Sequence, residues 1–190
     1  MIFLSLFVKS TINGDRLPLV ARSSQLFSPY LRTVTSIQHI IIRKAEAADI
    51  LILLQFEQGV IATERPFDPT LGKDPIHYYD LEGMIHDPKV ELLVAQSGDQ
   101  LVGSGYARIE IAKQYLEHRY HAYLGFMYVK PEYRGMGVNQ KIIEALKNWA
   151  KEQGITELRL DVYERNLAAI RAYEKAGFSK HMVQMRRSVD

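Results

Sequence analysis

The residues best suited to chemistry lie in Val129-Lys-Pro-Glu-Tyr-Arg-Gly-Met-Gly-Val-Asn139, where a strand-like run turns into a helix-like one. The first turn of a helix has backbone N–H groups without intrahelical partners and a partial positive charge, which suits a phosphate or pyrophosphate. Gly135 and Gly137 let the backbone approach such a group, and Arg134 adds a charge-assisted donor. Taken alone, this turn fits a bound phosphate and a purely structural connection equally well. Further along, Asn166 is a good N-cap for a helix over 167–176, and Tyr173 follows seven positions later, about two turns along. On its own Tyr173 reads either as core packing with a satisfied hydroxyl or as a proton donor.

The elements that must position these groups follow from hydrophobic periodicity. A short strand is predicted over Ile40–Arg43 and a helix over Ala45–Gly59, with Gly59 as its cap unless Val60 and Ile61 extend it. Thr63–Asp74, rich in Pro, Asp and Thr, reads as an ordered loop, and Ile76–His86 as a second helix. Strands over Val90–Gln96 and Leu101–Ile111 are joined by the hairpin signal Ser97-Gly98-Asp99-Gln100. Tyr120–Val129 is a further strand, in which Gly125 marks a bulge or a close backbone approach. A helix over Val138–Gln153 ends at Gly154. It is followed by a strand over Ile155–Tyr163, a helix over Leu167–Ala176 closed by Gly177, and a strand over Phe178–Met185. This order describes one α/β domain with a mixed sheet and no internal repeat.

Composition narrows the function classes. A chain of 190 residues suits one well-buried core, and its 47% hydrophobic and 24% charged residues are ordinary for a globular protein. A formal charge of +2 gives no argument for nucleic acid or an anionic membrane. The absence of cysteine excludes disulfides, thiolate nucleophiles and cysteine-ligated zinc, and suits a cytoplasmic setting. No apolar run reaches the roughly 18 residues of a membrane-spanning helix. Residues 1–36 differ from the rest: an apolar start over Met1–Val8, Arg16, Arg22 and Arg32, six serines, and Asp15 as the sole acid. That composition overlaps a transit peptide or a weak signal peptide. It equally fits a misjudged start, an accessory arm or a poorly ordered extension. Residues 1–36 are therefore expected to be an N-terminal extension and 37–190 the functional domain.

The two motifs together resemble those of the GNAT superfamily of N-acetyltransferases. Val129-Lys-Pro-Glu-Tyr133 followed by Arg134-Gly-Met-Gly137-Val-Asn139 is similar to the family's phosphate turn. Asn166-Leu-Ala-Ala169-Ile-Arg-Ala-Tyr173-Glu-Lys-Ala-Gly-Phe178 is similar to its second signature. The resemblance runs from about Ile40 to the C-terminus and is strongest over Ala122–Phe178. It implies a GNAT-like acyl-CoA N-acyltransferase fold, with a mixed, mostly antiparallel sheet flanked by helices and splayed at a central β-bulge, for which Gly125 is the expected source. It also implies acetyl-CoA as co-substrate. Backbone near Met127, Tyr128 and Val129 would pair with the pantetheine, and Arg134, Gly135, Met136, Gly137, Val138 and Asn139 would hold the pyrophosphate. Asn166 would add a pantetheine contact to its capping role, and Tyr173 would protonate the departing thiolate. Asn139 departs from the family's Gly or Ala, and only twelve residues follow Phe178.

The implied reaction is acetyl transfer to a primary amine by direct attack in a ternary complex. The alternative is a non-catalytic CoA-binding sensor or interaction module. The acceptor is expected to be a small-molecule or peptide amine, with neither nucleic acid nor membrane as partner, and a homodimer is left open. Glu64, Asp68, Glu110 and His121 are the candidates for general base, each also readable as a solvated surface group. Glu64 is the first to test. Tyr78-Tyr79-Asp80 and Arg65-Pro66-Phe67-Asp68 either shape the acceptor pocket or simply pack. His39, His77, His86, His118 and His181 lack metal-ligand spacing, so no metal is expected.

Overall fold

Alternation along the second strand explains the layering. In the computed structural model, which describes residues 40–189, β1 (Ile40–Lys44), β2 (Val90–Ser97), β3 (Gln100–Ile111), β4 (Tyr120–Val129) and β5 (Leu158–Arg159) form one sheet in chain order. Leu93 and Ala95 of β2 face one core and Leu92 and Val94 the other, so both sheet faces are covered. On the first face packs α3 (Val138–Glu152), whose Val138, Ile142, Leu146 and Ala150 recur every four residues and are all buried. The other core takes Leu53 and Phe56 of α1 (Ile50–Glu64) and Leu81 of α2 (Leu81–His86). Each fully buried Leu, Ile or Phe stabilises the fold by about 1.5–3 kcal/mol. The last helix, α4 (Leu167–Lys175), buries Ile170. The expected extension over 1–36 lies outside the described residues.

Strands β1 to β4 are antiparallel, and Gly98-Asp99 forms the predicted hairpin turn, with Ser97 opposite Gln100. β5 is parallel to β4 and pairs only through Ala122–Leu158 and Tyr123–Arg159. The strand expected over Ile155–Tyr163 therefore shrinks to two residues, and from Leu124 onward β4 has no sheet partner on that side. The strand expected over Phe178–Met185 does not form either. β5 offers no long edge to pair with, and Met182, Val183 and Met185 remain exposed.

The bulge lies where β4 leaves β5. Tyr106 opposes Gly125 while Ser104 opposes Tyr128, which places an extra β4 residue against Gly105. The positive φ of 54° falls on Phe126, not on Gly125. Gly125 has a different job: a Cβ there would come within 2.6 Å of the Tyr106 ring. Gly59 is corrected in the same way. It does not cap α1 but lies inside it, where a Cβ would meet the Tyr128 ring at 2.4 Å. The helix therefore runs on to Glu64.

Helix starts follow local hydrogen bonding. Residues 45–49 do not join α1. Arg43 donates to both Asp49 carboxylate oxygens at 2.7 and 2.9 Å, and the Glu46 N–H donates to Asp49 at 2.9 Å, fixing a short 3-10 turn there. The helix expected from Ile76 begins at Leu81, capped by Asp80, which accepts from the Gly83 N–H at 3.0 Å. Residues 76–79 are held off helical geometry by α1. The fully buried Glu57 carboxylate accepts from the N–H groups of Tyr78 (2.6 Å) and Tyr79 (2.9 Å), and Gln58 donates to the Ile76 carbonyl at 3.0 Å.

Candidate active site

The turn after β4 is built from backbone. After β4, a single 3-10 turn over Pro131–Tyr133 delivers the chain to Arg134, whose Nε donates to the Val129 carbonyl at 3.1 Å. Gly135 and Gly137 have φ of 76° and 78°, and an added Cβ at either would meet open space. Glycine is thus needed here for its left-handed backbone rather than for room. Gly137 is the N-cap of α3 and has no side chain to satisfy the helix, and no acid lies in the first turn. The positive end of α3 is left to an anionic ligand. Asn139 is half-buried inside the first helical turn, so its side chain is tolerated and its N–H still belongs to that end. Met127, Tyr128 and Val129 lie on the stretch of β4 beyond β5, whose backbone edge is open to a strand-like ligand. The open stretch of β4 thus runs through one 3-10 turn directly into the uncapped start of α3.

Asn166 caps α4 as expected, its Oδ1 accepting from the Ala169 N–H at 3.2 Å. Tyr173 is half-buried on α4, its ring edge-on to Phe178 at 6.0 Å. Burial, and then the negative charge of Glu64, push its hydroxyl up to about 12. The end of α1 therefore lies within electrostatic range of Tyr173. Burial also raises the proton affinity of Glu64 above the ordinary carboxylate range. The Tyr78 hydroxyl opposes that shift, and the charge of Asp68 adds to it. The Tyr78 oxygen is near enough to favour ionised Glu64, yet it is buried and completes no hydrogen bond of regular geometry. Asp68 is held well below the usual range by hydrogen bonds from Thr70 and Arg186. Two carboxylates in one place are thus driven in opposite directions, the arrangement that separates a base from a fixed charge.

The structure does not bring Glu110 and His121 to this place. They face each other across β3 and β4 with 3.6 Å between His121 Nε2 and Glu110 Oε2, and Glu110 is engaged by Arg108. Five residues of strand, about 17 Å, separate His121 from the bulge. Burial and Arg159 lower the proton affinity of His121. Sequence reasoning passed over Glu57, whose signal was a carboxylate on the apolar side of α1, two turns before Glu64. It also passed over Tyr163 and Arg186, both of which bond Asp68 and carry no local signal. Among the described residues no three His, Asp or Glu side chains converge on a metal-sized point, and no helix is long and apolar enough to cross a membrane.

Comparison with known proteins follows the same lines. The chain is 44% identical over 55 residues to thialysine N-epsilon-acetyltransferase of Bos taurus, which covers 29% of this chain and 32%, about a third, of that protein. It is 25% identical over 142 residues to aminoglycoside N(6')-acetyltransferase type 1 of Stenotrophomonas maltophilia, covering 73% of this chain and 86% of that one. A predicted acetyltransferase from Clostridium acetobutylicum, crystallised with acetyl-CoA, superposes with a TM-score of 0.62 at 18% identity, covering 79% and 96% of the two chains. At that identity the likeness is one of fold. The profile of the Acetyltransferase (GNAT) family matches residues 58–178, a stretch that holds the turn at Arg134–Asn139, the capped helix from Asn166 and the open edge of β4, and the chain belongs to that family.

Proposed function

We propose that the chain transfers the acetyl group of acetyl-CoA to a primary amine by direct attack in a ternary complex. The observation that carries this reading is the left-handed glycine turn that leads from the open edge of β4 into the uncapped start of α3. Acetyl-CoA supplies the electrophilic thioester carbon. Everything else is asked of the protein.

The turn from Arg134 to Asn139 takes the pyrophosphate, and Met127–Val129 with Asn166 align the pantetheine along β4. A backbone N–H of β4 polarises the thioester carbonyl. Glu64 is the general base in this reading. A lysine-like amine has a pKa of about 10.4, so near neutral pH its reactive form is scarce by roughly 3.4 units, or 4–5 kcal/mol. A carboxylate with raised proton affinity is the better acceptor for that proton. Tyr173 stays protonated at any physiological pH and donates to the departing sulfur. Because the charge of Glu64 raises the Tyr173 pKa, taking up the amine proton on Glu64 makes Tyr173 a stronger acid as the thiolate leaves.

The test is thiol release from acetyl-CoA with pooled primary amines, wild type against Tyr173→Phe. Turnover that falls in the variant while acetyl-CoA still binds supports the assignment. Tight acetyl-CoA binding with no thiol release across a broad panel would favour the sensor reading instead.

A further inference from the structure

The bulge in β4 is held by the strand beside it. Phe126 and Met127 share the place opposite Gly105, and Phe126 has the left-handed φ of 54°, which a bulky residue takes only where its surroundings impose it. Its carbonyl accepts from the Ser104 hydroxyl at 3.1 Å, and both residues are buried. A buried carbonyl deprived of a donor is costly, so this bond fixes the orientation of the Phe126–Met127 peptide. Tyr79 holds the same residue from the segment before α2. Its ring lies 4.7 Å from that of Phe126. Burial pushes the Tyr79 hydroxyl up, and the Phe126 N–H opposes that rise.

The neighbours of Ser104 are shaped for the same strand. A Cβ on Gly103 would come within 2.8 Å of the Tyr128 carbonyl oxygen, and one on Gly105 within 2.7 Å of Met127 Sδ. Both would also reach Ile142 of α3, at 3.4 and 2.8 Å, so the Ser104 side chain between them faces the opposite side of the sheet. Gly103-Ser104-Gly105 thus moulds Phe126-Met127-Tyr128 with two close approaches and one hydroxyl. The Phe126–Met127 peptide is trans, so its N–H points opposite to its carbonyl. The carbonyl is aimed at β3, and the Met127 N–H is therefore aimed away from β3, at the edge that β5 leaves unpaired. The ladder agrees. The Lys130 N–H donates to the Val102 carbonyl at 2.9 Å, and alternation gives the N–H groups of Val129 and Met127 to the other edge.

We propose that Ser104 is a positioning residue for acetyl transfer: by holding the Phe126 carbonyl it aims the Met127 N–H at the thioester carbonyl of acetyl-CoA along the open edge of β4. The proposal rests on the acetyl-transfer reading and names the residue behind its backbone donor. As the amine nitrogen adds to the thioester carbon, the carbonyl oxygen takes up negative charge, which this N–H meets. The charge returns when the C–S bond breaks, with the amine proton passing to Glu64 and the sulfur protonated by Tyr173. Being fully buried, Ser104 acts through one peptide plane and not by contact with substrate.

The experiment reads the carbonyl stretch of acetyl-CoA, isotope-labelled at the thioester carbonyl, by infrared difference spectroscopy on the full chain. Bound to wild type, the stretch should lie below that of free acetyl-CoA, because a hydrogen bond weakens the double bond. Ser104→Ala should lose most of that lowering and cost about tenfold in kcat, less than outright deletion of an oxyanion donor. The calorimetric Kd for acetyl-CoA should change by no more than about threefold, since the pyrophosphate turn is untouched. Ser104→Cys, similar in size but a weaker donor, should fall between the two, and it carries the test if Ser104→Ala does not fold. Equal stretches in wild type and variant overturn the proposal and leave the transfer reading standing, as does a loss confined to Tm or to Kd. A stretch that depends on Ser104 without thiol release from any amine supports the positioning role and sinks the transfer reading.

Discussion

In the proposed transfer the turn at Arg134–Asn139 takes the donor and the cluster around Glu64 the acceptor, and the two are made of different materials. The turn is main chain: two left-handed glycines, a helix end without a side-chain cap, and one arginine folded back on β4. The cluster is side chain, with Glu64 from α1, Asp68 and Tyr78 from the loop, Tyr163 from the segment after β5, Tyr173 from α4 and Arg186 from the tail. A backbone site is fixed once its dihedral angles are fixed, and its charge does not titrate. A site of carboxylates and hydroxyls depends on burial, on neighbouring charges and on pH. Donor binding should therefore be robust, and acceptor chemistry fragile.

The sharpest test of this contrast is Glu64→Gln. Without its carboxylate the acceptor side loses its base, and kcat/KM for the amine should fall on the order of a hundredfold near neutral pH. The Kd for acetyl-CoA, measured by calorimetry, should not follow it. A near-wild-type rate at pH 7 would remove Glu64 from the mechanism. Tyr173→Phe should cost less, about tenfold in kcat, because a thiol of pKa about 8.5 is already a fair leaving group. Single-turnover measurements keep product release from hiding the step. An unchanged chemical rate would leave Tyr173 with packing against Phe178 as its role.

Gly137→Ala probes the other side. A side chain at φ of 78° costs about 1–2 kcal/mol, so acetyl-CoA affinity should drop by about five- to thirtyfold as the turn relaxes away from that angle. Saturating acetyl-CoA should restore most of the turnover. If the variant instead binds acetyl-CoA normally and loses kcat, the division into backbone donor site and side-chain acceptor site is wrong.

The same contrast explains what could be read from the chain alone. The turn is contiguous, and its glycines, arginine and helix start announce themselves in eleven consecutive residues, Val129–Asn139. Asn166 and Tyr173 share one helix, so their relation follows from helical spacing. The hairpin at Gly98-Asp99 and the buried stripe of α3 are local in the same sense. By contrast, the positive φ at Phe126 results from a register mismatch with β3, and Gly125 drew attention only because its lack of Cβ accommodates Tyr106. Gly59 looked like a helix end for a similar reason, since the Tyr128 ring that requires it comes from a distant strand. Asp68 was named among the acids, but its partner Arg186 lies just past the run Phe178–Met185 that reads as a strand, where no pattern marks it. Long-range electrostatics leaves no periodic trace.

The smallest expected effect is one of stability, and its sign separates Glu64 from a purely structural carboxylate. Burial raises the folded-state proton affinity of Glu64 above the unfolded value. Its contribution to stability is then fully present below the unfolded pKa and lost as pH rises through the folded one. At pH 7 the fold carries a charge that it disfavours. Glu64→Gln should therefore raise Tm at pH 7, by about 1–2 °C given solvent screening of a partly exposed group, and the gain should shrink as pH falls toward the carboxylate range. Asp49 is the opposite case: the hydrogen bond from Arg43 lowers its proton affinity, so its contribution is present above the unfolded pKa and lost as pH falls through the folded one. Asp49→Asn should lower Tm at pH 7. Scanning calorimetry of both variants at pH 7 and near pH 4 gives the comparison directly. If Glu64→Gln lowers Tm at pH 7 as Asp49→Asn does, Glu64 is a structural ion, and its place as base passes to a water held by another group.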